Sequence, residues 1–417
     1  MNDGGGGSLP GAKPPPRFDL FSGPALTDPY PVYRQIRDSG PLCRGGNGAW
    51  LVGRYGDVSA MLRDQRLAQF SFAQAARLFP GAPGGAGWMG DGPASSFTRY
   101  IVASRNRPEH TPLRRLLGKA LRAGLKADVM PHALAIAEKL VSAARRDGPF
   151  DAVSDLAFPL PLMLLAGLMG LPAEQDWKLL GHRLLALTKI FAPVVPADDW
   201  AVADEALPWL REQLAEMLAR RRSHPRDDVL SALATASASG EFGWQEAVDN
   251  AIFMLFAGFE TSLNLLSSIF VTLAACPGRL DQLRGHPEQI PLAVDELLRW
   301  DTPTQLTGRI TVEPVEVGGR TLRTGRVVLL LLACANRDDA VFAEPDRITL
   351  SRTPNPHLAF GAGLHYCLGA ELARMEGQSL LQHLAGTAHS VQLTGRPWRD
   401  ASATLRLYRS VPVAVMD

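Results

Sequence analysis

Phe360-Gly361-Ala362-Gly363-Leu364-His365-Tyr366-Cys367-Leu368-Gly369 is the densest motif in the chain, and a helical pattern, Ala370–Leu384, follows it at once. One thiol therefore stands at a helix N-terminus, where free backbone N–H groups and the helix dipole favour a thiolate. The three glycines let backbone approach a large flat partner closely. An aromatic, Phe360, sits seven residues before the thiol. There is no Cys-x-x-Cys and no His-Glu-x-x-His, so a zinc site is unsupported. His365 lies two residues from the thiol on a tight loop, badly placed to serve a Cys nucleophile as base. One thiolate in glycine-lined surroundings suits an axial ligand of heme iron. Cys43, Cys276 and Cys334 have no such context and read as small buried hydrophobes.

The rest of the chain accommodates that reading. It has 417 residues, with 43 Lys and Arg against 42 Asp and Glu and a net charge of +1. At 46% hydrophobic it is too apolar to be disordered, and its charge is too small for nucleic-acid binding. Four Cys exclude a disulfide scaffold. Only six of the 43 basic residues are Lys, a bias of the kind GC-rich bacterial coding sequences produce. Residues 1–17 read as a disordered tail without the features of a signal peptide. Ala251–Gly278 carries one charge, Glu260, and is long enough to span a bilayer. Thr261, Ser262, Asn264, Ser267 and Ser268, and the lack of flanking anchors, favour instead the centre of a large soluble protein. The expectation is a cytoplasmic chain, with no membrane and no nucleic acid as partner.

Length alone suggests two or three domains, but no linker divides the chain after the tail. Helical periodicity covers Tyr55–Asp64, Pro112–Ala123, Met130–Asp147, Trp200–Ser223, Trp244–Cys276 and Glu288–Trp300, with Pro277-Gly278 stopping the long one. Strands cluster at Ala49–Val52 and at Val315–Leu332, a hairpin pattern turning at Gly318-Gly319. This predicts a mainly α protein with a small β part, one large domain over 18–417. The glycine-rich stretch 81–92 reads as a lid or a disordered loop.

Phe360-x-x-Gly363-x-His365-x-Cys367-x-Gly369 resembles the heme-binding loop of the cytochrome P-450 superfamily, and three further motifs arrive in that family's order. Glu296-x-x-Arg299 lies one helical turn apart, and with Arg352 resembles the family's Glu–Arg–Arg network, which braces the loop behind the heme. Ala257-Gly258-Phe259-Glu260-Thr261 sits in the long apolar helix; read alone, Thr261 could bond back to the helix carbonyl and Glu260 could join an ion pair. The resemblance implies the acid–alcohol pair that handles protons during O–O cleavage, with Gly258 letting the helix bulge to admit a water. His110 and Arg114 match a His-x-x-x-Arg that meets heme propionates; Arg309 and His365 match two further propionate contacts. Pro112, and Asn106-Arg107 in place of an acidic opening, depart from the pattern. The implied architecture places heme b between the long central helix and the Cys-loop helix. Implied cofactor contacts are His110, Arg114, Ala257, Gly258, Arg309, Phe360, Gly361, His365, Cys367 and Gly369, with Cys367 on the iron.

Phe253, Phe256, Ala257 and Gln305 are the expected substrate contacts, with Leu184–Trp200, Thr304–Thr307 and Ala401–Leu407 completing the walls. These segments are mostly apolar, so the substrate is expected to be an apolar small molecule, free or carrier-bound. The chain holds no flavin or iron–sulfur module, so the resemblance implies a ferredoxin-type donor and its reductase. Arg114, Arg115, Lys119, Arg122 and Lys126 form a basic stretch that either attracts it or is simply a solvated helix face. The implied activity is a heme-thiolate monooxygenase that inserts one atom of O2 by hydroxylation or epoxidation, in bacterial secondary metabolism. A peroxide-driven peroxygenase or decarboxylase is the alternative, as is a non-catalytic heme-binding or recruitment domain.

Overall fold

The computed structural model describes residues 14–69, 92–125, 129–172, 176–191 and 197–416. Its axis is the helix Trp244–Ala275, buried on nearly every face from Ala247 to Leu273. Helices Pro159–Met169, Ala197–Ser223, Val229–Ala238 and Ala370–Thr387 pack around it. Among the described residues it is the one helix long and apolar enough to cross a bilayer, and 78% of its apolar window is buried inside the protein. That explains the uniform hydrophobicity: such a helix has no solvent face to mark with charge.

The β part is larger than two clusters. A six-stranded mixed sheet runs Arg17–Phe18, Cys43–Gly45, Trp50–Val52, Val327–Leu330, Thr307–Thr311, Leu67–Ala68. In its centre Val328, Leu330 and Leu332 face one apolar cluster while Val327, Leu329 and Leu331 face another, the period-two alternation of a strand covered on both sides. The hairpin pattern at Val315–Leu332 divides. Val315–Val317 pairs with Arg320–Leu322 about Gly318 and Gly319, both at positive φ, whereas Val327–Leu330 leaves to join the large sheet. The expected tail also ends early: Arg17 pairs with Arg44, and the Pro16 carbonyl accepts from the Arg44 N–H. The tail's first thirteen residues, 81–91 of the glycine-rich stretch and Lys126 lie outside the described residues.

A cap helix, Pro93–Tyr100, is tied to the helical core by buried polar groups. Arg211 donates two bonds to Asp249, at 2.8 and 2.9 Å, and also reaches the Ser96 hydroxyl at 2.9 Å and the Pro93 carbonyl at 3.2 Å. Asn250 brackets the end of the cap, accepting from the Val102 N–H and donating to the Tyr100 carbonyl. Each buried group thus has its partner, as desolvation demands.

Candidate active site

The Cys loop is shaped by its glycines and braced from behind. Gly361 and Gly363 adopt φ of 67° and 69°, and a Cβ on Gly363 would stand 2.6 Å from the Leu62 carbonyl. The Cys367 N–H donates to the Phe360 carbonyl at 2.9 Å. Arg374 lies 4.6 Å over the Phe360 ring and bonds Asp295 at 2.7 Å. Further back, Glu296 accepts from Arg299 at 2.7 and 2.8 Å, from Arg352 at 2.9 Å and from the Thr349 N–H at 2.8 Å. Arg299 also caps the carbonyls of Asn336, Pro345 and Arg347. This buried carboxylate between two guanidiniums welds the segment before the loop to the helix Ile290–Trp300.

Between loop and central helix lies a cavity in which the centre of a water molecule can occupy about 310 Å³. Phe253, Ala257, Gly258, Thr261 and Ser262 form one wall; Phe360, Gly361, His365, Cys367 and Gly369 form the facing one. Val102, Leu165, Thr304 and Leu332 close the sides. The Cys367 side chain is exposed to this cavity, with protein packed behind it. Burial pushes its pKa up, against the Gly369 N–H, Arg114 and Arg374, which pull it down. The helix start therefore does not by itself deliver the thiolate expected from sequence; a metal cation facing the sulfur would.

Four cation-forming side chains converge at one edge. His110 is fully buried with neither ring nitrogen bonded, and its ring centroid is 4.4 Å from that of His365. Burial, then Arg114 and Arg107, pushes the His110 pKa down to about 4. Burial, then Arg309, His110 and Arg114, pushes His365 down to about 3. Among the described residues Arg309, 3% exposed, bonds the Thr307 hydroxyl and the Gly308 carbonyl, and burial pushes it down to about 10. Among the described residues no carboxylate is one of the groups that shift these four. Such a cluster is built for anions supplied from outside the chain. Two carboxylates on the rim of a flat macrocycle facing Cys367 fit it, so the residues present suit heme.

Several expected contacts fall elsewhere. Phe256 does not line the cavity; its ring stacks on Phe191, centroids 4.8 Å apart at 17°. Gln305 is wholly buried, donating to the Thr302 carbonyl and accepting from the Tyr33 hydroxyl, because backbone pairing of its own N–H with Thr404 turns the side chain inward. Ala401–Leu407 stands behind the wall, with Leu405 bridged to Thr304. Gly258 lines the cavity but does not open a bulge. The helix is continuous there, and a Cβ on Gly258 would meet Leu165 at 2.8 Å, so this glycine admits a neighbouring helix. Thr261 donates to the Ala257 carbonyl at 2.9 Å. Glu260 sits behind the wall, 1% exposed, and accepts from the Thr188 hydroxyl. Arg114 donates to the Tyr366 carbonyl, so the start of the basic stretch is engaged with the loop.

Sequence reasoning missed Gln69, Val102, Leu165 and Leu332 as wall residues. A signal existed for one. Asn106, noted as a departure, brackets the Gln69 backbone with two bonds of 2.8 Å and so fixes that wall. The others are apolar residues on separate elements with no local mark.

A mainly helical fold with one thiol facing a cation-rimmed cavity defines a heme-thiolate protein. The Cytochrome P450 family model matches residues 182–385. Nocardicin C N-oxygenase of Nocardia uniformis subsp. tsuyamanensis is 35% identical over 92% of this chain and 94% of its own length. Mycinamicin IV hydroxylase/epoxidase of Micromonospora griseorubida is 34% identical over 88% and 91%. The structure of P450BioI in complex with an acyl carrier protein ligated to hexadec-9Z-enoic acid aligns with a TM-score of 0.85 at 28% identity, covering 94% of this chain and 99% of that one. The chain belongs to the cytochrome P450 family: it is a heme-dependent monooxygenase that uses O2.

Proposed function

We propose that this enzyme inserts one oxygen atom from O2, by hydroxylation or epoxidation, into an uncharged, apolar small molecule of secondary metabolism. The observation that carries this reading is the cavity wall. Phe253, Ala257, Val102, Leu165 and Leu332 are apolar, Thr261, Ser262 and Thr304 are neutral, and the charged lining is confined to the edge where His110, Arg114 and Arg309 gather. A charged substrate group elsewhere would meet no counter-ion in that wall. Bound heme supplies the iron that activates O2. Cys367 is its thiolate ligand, and His110, Arg114, Arg309 and His365 hold its propionates. Glu260 is the buried acid and Thr261 the hydroxyl facing the cavity. Together they hold and pass protons, Thr261 exchanging its bond to Ala257 for one to a bound water.

Electrons come from an external ferredoxin-type donor in the cytoplasm. The substrate is free or delivered on a carrier; the resemblance to the carrier-bound P450BioI supports the second route. The peroxide-driven alternative is disfavoured by the presence of a buried acid beside a cavity hydroxyl. The reduced, carbon-monoxide-bound absorption spectrum tests the thiolate assignment: folded, heme-supplied protein without the thiolate band sinks it. Candidate metabolites, free and carrier-tethered, are then screened by the heme spin-state shift. A charged molecule giving the strongest shift would overturn the substrate class.

A further inference from the structure

The short turn Thr188–Phe191 touches the central helix at two points one helical turn apart. At one end the Thr188 hydroxyl donates to Oε1 of Glu260, and both side chains are buried. At the other, Phe191 stacks on Phe256 and also meets Phe253, with ring centroids 6.2 Å apart. Phe253 lines the cavity; Phe256 and Glu260 do not. One short turn thus has an aromatic end against a cavity wall residue and a hydroxyl end on a carboxyl behind that wall.

We propose that Thr188 is a positioning residue: it orients the Glu260 carboxyl, and through Phe191 it ties that orientation to how the turn is seated on Phe253 and Phe256. The inference rests on the reading of Glu260 as the proton-handling acid. A bond accepted at Oε1 makes that atom the carbonyl oxygen of a neutral carboxylic acid and leaves Oε2 to carry the proton. Without it the carboxyl is free to rotate and present either oxygen. Burial pushes the Glu260 pKa up to about 8, against the pull of the Thr188 bond and of Arg409; Asp400 pushes the same way as burial. Arg409 and Asp400 bond each other at 2.7 Å, so their fields on Glu260 largely offset, leaving Thr188 as the hydrogen bond that sets its geometry. A substrate pressing on Phe253 would keep the turn seated, and one too small to reach it would leave the turn, and so the acid, loose.

The test is the infrared carbonyl-stretch band of protonated carboxyls in the heme-loaded protein, followed through a pH titration. Glu260→Gln identifies the Glu260 band by its loss, separating it from that of Glu376. Thr188→Val keeps the shape and removes the donor. It is expected to move the band to higher frequency and to strengthen proton binding about threefold to tenfold, the worth of one lost hydrogen bond. Thr188→Ser should restore both. Phe191→Ala, which leaves the Thr188 hydroxyl in place, should shift the band in the same direction. The carbon-monoxide spectrum of each variant checks that the fold is intact. A band unmoved in Thr188→Val overturns the positioning role, and one unmoved in Phe191→Ala overturns the link to the aromatic seat. If Glu260→Gln removes no band, Glu260 is not a neutral acid, and the proton-handling reading falls together with this one.

Discussion

Arg299 and Glu296 are joined by two short bonds, 2.7 and 2.8 Å, with both side chains fully out of solvent. Removing Glu296 leaves Arg299 buried with carbonyls alone, and removing Arg299 leaves Glu296 with only Arg352 as counter-ion; breaking such a buried pair typically costs about 3–5 kcal/mol. Arg299→Ala is therefore expected to lower the thermal midpoint strongly and to yield protein that retains little heme. Arg299→Lys should do little better, since an ammonium cannot reproduce the fork or reach the carbonyls of Asn336, Pro345 and Arg347. Calorimetry and heme-to-protein absorbance ratios check both.

Thr261 spends its hydroxyl on a carbonyl of its own helix, so losing that hydroxyl should not harm the fold. Thr261→Ala is expected to change unfolding stability by no more than about 0.5 kcal/mol. If it handles protons, the variant consumes O2 at a near-normal rate but releases peroxide in place of product. Unchanged product per O2 would remove Thr261 from the mechanism.

Two buried carboxyls make stability fall with pH. Glu260 and Glu376 are both pushed up to about 8 from an ordinary 4.5, burial being the main cause in each. The folded state therefore holds protons that the unfolded chain gives up above pH 4.5. Stability from these groups is fully present below 4.5 and is lost progressively as pH rises to 8, at up to about 1.4 kcal/mol per pH unit for each. Urea unfolding between pH 6.5 and pH 8, above the range in which His110 and His365 oppose it, should show this decline, and Glu376→Gln should flatten it. Glu376 is the second target: it is wholly buried, with the Ser262 hydroxyl pulling its pKa down against burial.

His110 predicts the opposite slope on the acid side. Its folded pKa lies near 4, below the ordinary 6.5, so apoprotein loses stability as pH falls from 6.5 toward 4. Heme carboxylates at this edge would let the ring charge without penalty. Heme-loaded protein is therefore expected to be markedly less acid-sensitive than apoprotein over this range. His110→Phe should reduce the acid sensitivity of the apoprotein, leaving the share that His365 contributes, and weaken heme retention. Equal acid sensitivity with and without heme would argue against propionates at His110.

The parts of the site that sequence makes legible are those confined to one element or one short loop. The Cys367 loop, Glu296 with Arg299, and Glu260 with Thr261 each carry their pattern within a few positions, because one helix pitch or one turn dictates the spacing. Phe256 and Gln305 were misplaced for a related reason. Helical periodicity tells which residues share a face with Thr261, but not that Phe191 would cover Phe256, nor that pairing with Thr404 would turn Gln305 inward. The strand Val327–Leu330 looks like half of a hairpin in sequence because its partners, Trp50–Val52 and Thr307–Thr311, lie upstream and carry no mark of pairing with it. Thr188 carried no mark at all: a threonine near a helix end looks the same whether it meets water or a buried acid.

Arg211 holds three pieces at once: the cap helix through Pro93 and Ser96, the central helix through Asp249, and its own long helix Ala197–Ser223. A part anchored by one shared guanidinium behaves as a lever and not as a flap. Force applied where Val102 meets a ligand is felt at Asp249, about three helical turns from Glu260. Molecules that crowd that corner would strain the centre of the protein, not just its rim, so size selection there is enforced by the stiffness of the whole helical core.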